Sequence, residues 1–548
     1  MSIFQRKPLQ ALLSESKESG EHTLKKTLGP YKLIALGLGA VIGAGIFSIT
    51  GMAAGLYAGP AITVSFVIAA LGCCFAGLCY AEFASMIPIA GSAYTYSYAT
   101  LGEFIAWVIG WDLILEYAVG ALTVSISFSV YFVKFMEGFG IHLPHALTAC
   151  PMDGGIVNIP SALVVILLSL LLIRGTEESS KVNSVIVTVK VAVVLIFIGV
   201  GWQFINSDNY VPFIPENTGT WGSFGFSGII RGAAIVFFAF IGFDAVSTAA
   251  QETKNPKRDM PIGILGALII CTILYVLFSY VLTGVANYAQ FQDSTGIAPV
   301  AIAIDNMGTV LPGGTIQPAY PWLNKAIILA ILAGYSSVVL VLLLGQSRIF
   351  YTMSHDGLLP KTFSQVHKNF RTPYKSNILF LVVVGVLAMF VPARVAGELT
   401  SIGTLFAFII VCIGILVMRK KMPDAPRAFR TPWVPVVPIM GIGICLFMMV
   451  FLPFDTWIRL ILWMLLGHDI YTFYGSRHSK LGANKSVNML FIIGIGIAVL
   501  LAAFVIVHQT QIGWQENSAF AIALLVISLG HLVLYGLKII DVKNARQI

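Results

Sequence analysis

About fourteen apolar stretches, each about the length needed to cross a lipid bilayer, run through this 548-residue chain. We number them segments 1 to 14, and they lie at about 31–54, 60–86, 103–136, 155–174, 182–206, 228–250, 261–287, 324–350, 376–393, 399–418, 433–453, 456–474, 488–508 and 518–537. Hydrophobic residues make up 57% of the chain and charged residues 11%, which excludes a soluble globular protein. The sequence therefore predicts an all-α polytopic membrane protein with about 14 transmembrane helices. The count depends chiefly on segment 12, which contains Arg459, His468 and Asp469.

Segment 1 is interrupted in its middle by the glycine-rich sequence GAVIGAGIF at Gly39–Phe47. Because unpaired backbone groups are costly in lipid, a helix break survives there only where protein buries it or where it lines a polar cavity. A half-helix that starts near Gly45 would direct free N–H groups at a carboxylate, and one that ends near Val41 would offer carbonyls to a cation. A ligand with both groups is an amino acid. The alternative is that the glycines only allow two helices to pack closely.

Segment 6 has a second interruption at 236–246 (VFFAFIGFDAV), where Gly242 precedes Asp244. Interruptions in the first and sixth segments predict two inverted five-helix repeats with the substrate between them. An ordinary glycine kink, with Asp244 as a helix cap, is the alternative. The predicted divisions are a cytoplasmic tail (1–28), the first repeat (29–206), the second repeat (228–420), accessory segments 11 to 14 (431–538) and a cytoplasmic tail (539–548).

The basic residues predict the orientation of the chain. Most of the 33 lysines and arginines fall in the tails and in connections between segments that lie on the cytoplasmic side if the N-terminus is cytoplasmic. This asymmetry predicts a multi-pass protein of the cell membrane, the cytoplasmic membrane if the source is bacterial, with both termini in the cytoplasm. The net charge of +8 is then a topology signal, so no nucleic-acid partner is expected. The tail before residue 25 is polar and is predicted to be disordered.

Two ionisable side chains stand deep in the predicted membrane. Lys190 is a lone cation in the apolar run of segment 5 and Glu116 lies in segment 3, four residues after Asp112 and therefore on the same helical face. Such residues are costly and usually functional, so Lys190 is a candidate for proton coupling. The alternatives are that Lys190 extends to the cytoplasmic interface and that either carboxylate is a structural hydrogen-bond acceptor. Glu116 could pair with Lys190 or attract a cationic side chain.

Two connections have unusual compositions. The sequence PIAGSAYTYSY at 88–98 has six hydroxyl residues and predicts a re-entrant segment or a surface helix on the cytoplasmic side, or a plain amphipathic connector. The loop at 287–323 is rich in glycine and proline and lacks lysine and arginine, which favours an extracellular lid over an inert connector. The sequence has no metal-ligand spacing and no phosphate-binding or catalytic motif, so no enzyme activity, metal or cofactor is predicted.

Five sequence blocks resemble the amino acid-polyamine-organocation superfamily. They are GAVIGAGIF, PIAGSAYTYSY, GWDLILEY at 110–117, FFAFIGFDAVSTAAQETKNPKRDMP at 237–261 and SRIFYTMSHDGLLP at 347–360. The chain is most similar to the cationic amino acid transporter family, including its bacterial members, over about residues 25–450. The resemblance implies a leucine-transporter-like core built from the inverted repeats, and it implies that 88–98 helps to close an inner gate.

The resemblance also implies which residues bind the substrate. The carboxylate would be held by the N–H groups of Gly43, Ala44 and Gly45. The ammonium would be held by backbone carbonyls, and the matching positions are Val41, Phe238, Ala239 and Ile241. Ala44 departs from the hydroxyl residue that many relatives have, which removes one side-chain hydrogen bond to the carboxylate.

For proton coupling, the resemblance implies that Lys190 replaces a sodium ion of sodium-coupled relatives. Lys190 would face the carbonyls of segment 1 and a hydroxyl of segment 8, for which Ser336 and Ser337 are the candidates. The expected function is secondary active amino acid transport, by proton-coupled symport and alternating access. A proton-independent exchanger, a facilitative channel and a non-transporting amino acid sensor are the alternatives. The expected partners are the amino acid, the proton and the lipid bilayer, while a small membrane partner, the oligomeric state and the amino acid itself are not fixed by the sequence.

Overall fold

The computed structural model of the chain describes residues 3–10, 28–89, 91–174, 177–250, 253–292, 299–310, 316–367, 372–482, 487–512 and 518–544. Most of the predicted N-terminal tail, the last four residues of the C-terminal tail, parts of the predicted lid loop and residue 90 lie outside these ranges.

A helix lies in each of the fourteen predicted segments. In chain order they are Pro30–Val41 with Thr50–Ala53, Ile62–Met86, Glu103–Glu137, Ile159–Arg174, Glu177–Gly201, Gly225–Val236 with Ala245–Thr248, Pro256–Val285, Pro321–His355, Tyr374–Phe390, Ala393–Lys421, Val436–Val450, Phe454–Ile470, Val487–Ile512 and Ser518–Asn544. Two further helices connect segments, Ser92–Thr100 and Pro299–Asp305, and a short antiparallel hairpin pairs Gly308–Val310 with Ile316–Pro318.

Nine helices of the described chain are long and apolar enough to cross a membrane. The pair Val436–Val450 and Phe454–His478, bent by 113° between its members, makes a tenth if it is one crossing. The chain is therefore an all-helical, multi-pass membrane protein in which the hairpin is the exception. The exact number of fourteen crossings and the inverted symmetry of the two halves stay predictions.

Segment 3 forms the centre of the bundle. Its helix is apolar on most sides, and 89% of its most apolar 18-residue window is buried inside the protein, as expected of a helix that other helices surround. It packs against segments 8 and 10. Segment 12 holds it from a further side, because the Trp111 and Trp463 rings stack at 4.5 Å and each indole N–H donates to the backbone carbonyl of the other residue. Segment 12 is thus part of the core, whereas segments 13 and 14 lie at its edge.

A buried ion network joins segment 2 to the C-terminal end of segment 10. Glu82 is fully buried, and its two carboxylate oxygens accept hydrogen bonds from Arg419 Nε and Nη2 at 2.9 and 2.8 Å. Arg427 Nε at 3.1 Å and the Thr431 N–H at 2.8 Å complete the set. Each oxygen of the Glu82 carboxylate thus accepts two hydrogen bonds, and two of the donor groups carry positive charge. These interactions offset the cost of burying the carboxylate.

Two expectations are wrong for the described residues. The helix Ser92–Thr100 has all nine residues buried, so the polar run at 88–98 is not a surface helix. The Tyr94 and Tyr98 hydroxyls donate to the buried carboxylates of Asp356 and Glu103, and the Ser92 hydroxyl accepts from Ser247. Residues 3–10 pack against the same region, with Ile3 only 1% exposed, so this part of the tail is not disordered.

Candidate substrate and coupling site

The break in segment 1 lies where the glycines predict it. The first half-helix ends at Val41, Ile42 is extended (φ −73°, ψ 104°), and helical structure resumes as a π-helical turn at Gly45–Ile49. The first N–H groups of a helix have no intrahelical acceptor. The N–H groups of Gly43, Ala44 and Gly45 are therefore at the beginning of the second half-helix, in the predicted position for a carboxylate.

The break in segment 6 faces the break in segment 1. Segment 6 changes from α-helix to a 3-10 turn at Phe237–Phe240, and Gly242 has a φ of 107°, which only glycine adopts easily. A Cβ on Gly242 would lie 2.9 Å from Ala40, and a Cβ on Gly45 would lie 2.2 Å from the Ala239 Cα. The two breaks are in direct backbone contact, so a side chain at Gly45 would separate them.

Tyr275 of segment 7 bridges two of the predicted ammonium ligands. Its hydroxyl lies 2.8 Å from the Val41 carbonyl oxygen and 2.9 Å from that of Ala239. The single hydroxyl proton can serve only one carbonyl fully, so an ammonium with three N–H groups would satisfy both better. The sequence reasoning missed Tyr275. The available signal was a tyrosine in an apolar segment, since a buried hydroxyl usually finds a partner.

Lys190 reaches the same break from segment 5. Its side chain is buried, and Nζ donates to the Gly39 carbonyl at 2.6 Å and to the Ile42 carbonyl at 3.0 Å. The Gly39 carbonyl belongs to the last turn of the first half-helix, where carbonyls have no intrahelical partner, and the Ile42 carbonyl lies in the break itself. Lys190 therefore does not extend to the cytoplasmic interface, and the predicted contact with segment 1 is present.

Segment 8 lies beside the Lys190 side chain at Gly334. A Cβ on Gly334 would lie 2.7 Å from Lys190 Cδ, so Gly334 makes room for the lysine methylene groups. Ser336 donates its hydroxyl to Leu332 of its own helix at 2.9 Å, and Ser337 is buried. Gly334 was missed, and the roles of both serines stay predictions.

Glu116 does not pair with Lys190 in this conformation, so that alternative is wrong. The charged groups that act on Glu116 are Asp244 and Asp112, and all three carboxyl groups are buried. Asp244 accepts the Tyr117 hydroxyl at 2.6 Å and the Gly242 N–H at 3.3 Å, which fixes the backbone turn after the segment 6 break. Whether Glu116 takes part in coupling stays a prediction.

The helix Pro299–Asp305, which lies in the predicted lid loop, packs beside the site. Tyr131 of segment 3 donates its hydroxyl to the Phe47 carbonyl at 2.5 Å and accepts the Val300 N–H at 3.4 Å. A Cβ on Gly51 would lie 2.3 Å from Pro299. The helix therefore covers the second half of segment 1, and its action as an extracellular lid stays a prediction.

Comparison with known proteins identifies the family. A model described as amino acid permease matches residues 28–468. The chain belongs to this amino acid permease family. It is 45% identical to a branched-chain amino acid permease, BcaP, of Bacillus subtilis (strain 168) over 88% of this chain and 99% of the relative. It is 43% identical to a methylthioribose transporter of the same strain over the same shares.

A plant permease is similar as well. The vacuolar cationic amino acid transporter 4 of Arabidopsis thaliana is 38% identical over 74% of this chain and 66% of the relative. These findings confirm the resemblance to the amino acid-polyamine-organocation superfamily and to its cationic amino acid transporters. The relatives are permeases and transporters, so the permease function is supported and no catalytic function is indicated.

Proposed function

We propose that this permease is a proton-coupled symporter that carries neutral amino acids with branched apolar side chains by alternating access. The observation that carries the proposal is the position of Lys190, whose ammonium binds the same helix break that offers N–H groups to a substrate carboxylate. The substrate and the Lys190 ammonium would thus both bind the backbone at the segment 1 break.

The chemistry of the two breaks supports an amino acid substrate. The N–H groups of Gly43 to Gly45 suit a carboxylate, and the carbonyls of Val41 and Ala239 suit an ammonium. The side chains beside the predicted ligands include apolar ones, since a Cβ on Gly43 would lie 2.8 Å from Val338 of segment 8 and both Phe238 and Ile241 are buried. Apolar surroundings favour a neutral side chain over a cationic one. The name of the Bacillus branched-chain permease supports the same class.

The coupling follows from the two states of Lys190. Only the charged ammonium has three N–H donors and a positive charge that stabilises the carbonyl end of the first half-helix. A change in protonation would therefore alter the preferred position of that half-helix, and a proton shifts the conformational equilibrium by its differential affinity for the two states. On the basis of the lysine and arginine distribution, we also propose that both termini lie in the cytoplasm.

Uptake of a methylthio sugar is the second candidate, because one of the two Bacillus relatives is a methylthioribose transporter. Such a sugar has neither an ammonium nor a carboxylate. It would leave the backbone groups at both breaks without charged partners, which makes it the weaker candidate.

Uptake into proteoliposomes tests both candidates. With an inward proton gradient, we expect labelled leucine to accumulate, an excess of unlabelled isoleucine or valine to compete, and lysine and methylthioribose to compete weakly. Collapse of the gradient with a protonophore should stop accumulation while leucine exchange continues. Strong competition by methylthioribose would instead favour the sugar as the substrate. Accumulation of leucine that is unchanged by the protonophore would favour a proton-independent exchanger.

A further inference from the structure

The first residues of the chain form a strap across the predicted cytoplasmic end of the bundle. We define the N-terminal strap as residues 3–10. Its backbone carbonyls at Ile3 and Gln5 accept the N–H groups of Phe104 and Glu103 at 3.0 and 2.9 Å, and the Lys7 N–H donates to the Tyr98 carbonyl at 3.2 Å. The strap thereby satisfies two N–H groups in the first turn of segment 3 that have no acceptor in their own helix.

Gly102 shows how closely the strap packs. Its φ is 108°, and a Cβ there would lie 2.5 Å from the backbone carbonyl carbon of Phe4. A larger residue would be strained in this conformation and would also push the strap away. The absence of a side chain at Gly102 therefore leaves room for the backbone of the strap.

An ion pair connects the strap to the end of segment 8. Lys7 Nζ lies 3.1 Å from Asp356 Oδ1, and the two side chains are 14% and 5% exposed. The other carboxylate oxygen of Asp356 accepts the Tyr94 hydroxyl at 2.8 Å. Asp356 therefore joins three elements: the strap, the helix Ser92–Thr100 and the cytoplasmic end of segment 8.

A hydrogen bond continues from this point toward the substrate site. Ser247, in the inner half of segment 6, donates its hydroxyl to Ser92 at 2.9 Å. Ser92 begins the helix that contains Tyr94, and Ser247 lies five residues after Gly242 at the segment 6 break. Movement of the inner half of segment 6 therefore displaces the helix that the strap and Asp356 hold.

We propose that the N-terminal strap is a releasable latch, in which the Lys7–Asp356 ion pair holds the cytoplasmic side of the permease closed. The strap is a short terminal segment whose contacts include three backbone hydrogen bonds, one ion pair and the buried Ile3 side chain, and terminal segments of this kind separate before a helical bundle does. The latch is independent of the proposed substrate and coupling ion, because it concerns what permits inward opening whatever the permease carries.

Hydrogen–deuterium exchange of the purified full-length protein in nanodiscs, without substrate, tests the latch. In Lys7→Met we expect exchange in the helix Ser92–Thr100 to become about tenfold faster, the effect of losing one charge-assisted hydrogen bond. Deletion of residues 2–10 should have a larger effect in the same direction. Lys361→Met, an exposed lysine at the same end of the bundle, is the matched control and should exchange like the parent protein.

The outer helix Pro299–Asp305 distinguishes a latch from a merely structural contact. If the strap controls opening, a protein that opens inward more often keeps its outer side closed more often, so exchange in this helix should become slower in Lys7→Met. Faster exchange in both helices, or no change in either variant, would overturn the proposal. Neither result depends on leucine or on a proton gradient, so failure of the latch is distinguishable from failure of the proposed function.

Discussion

The Lys190→Gln variant is expected to lose proton-driven accumulation of substrate and to keep exchange of labelled for unlabelled amino acid. The glutamine amide can still donate to a carbonyl at the break, but it does not titrate, so the link between proton binding and the position of segment 1 is lost. In proteoliposomes, the variant should only equilibrate substrate across the membrane and not concentrate it. With an imposed gradient of one pH unit or more, the final ratio of internal to external substrate should fall about tenfold or more.

Lys134→Gln is the matched control for this variant. Lys134 is a half-exposed lysine that lies 3.9 Å from Glu137 at the surface, so its removal should leave accumulation unchanged. If the Lys190→Gln protein still concentrates substrate in response to the gradient, coupling lies at another group, for which Glu116 is the next candidate.

The Glu82→Gln variant is expected to be strongly destabilised. The neutral amide cannot compensate Arg419 and Arg427 and replaces an acceptor with a donor in front of them. Removal of one partner from a buried ion network costs about 3–5 kcal/mol. Reversible unfolding in mixed micelles should show a loss of that order, with segment 10 released from segment 2.

Glu137→Gln provides the comparison for Glu82→Gln. Its carboxylate is 43% exposed and meets Lys134 at 3.9 Å, so the stability should change by less than about 1 kcal/mol. Equal stability of the two variants would contradict a structural role for the buried network.

The sequence predicted the features that depend on local pattern. Long apolar runs fix the positions of the helices, because a chain in lipid must satisfy its own backbone. The glycines at 39–45 and at 242 located both breaks for the same reason. A lysine in the middle of an apolar segment marked Lys190, and the family resemblance added its contact with the carbonyls of segment 1.

The features that the sequence did not predict depend on how helices pack. Nothing in segment 7 distinguishes Tyr275 from other tyrosines until segments 1 and 6 are placed beside it. Glu82 and Arg419 are 337 residues apart, and no local pattern connects them. The strap was missed because its apolar residues Ile3, Phe4 and Leu9 show no periodic pattern in a mixed tail, and the space that Gly102 leaves for it exists only in the folded chain.

Recognition of both charged groups of an amino acid by the backbone at the two breaks is the basis of the proposed function. Equilibrium binding of leucine, isopentylamine and 4-methylpentanoate to the purified protein tests it, since the last two retain the apolar chain but lack the carboxylate and the ammonium, respectively. We expect each analogue to bind about 100-fold or more weakly than leucine, because each leaves one set of buried backbone groups without its charged partner. Binding of either analogue with the affinity of leucine would contradict the proposed site.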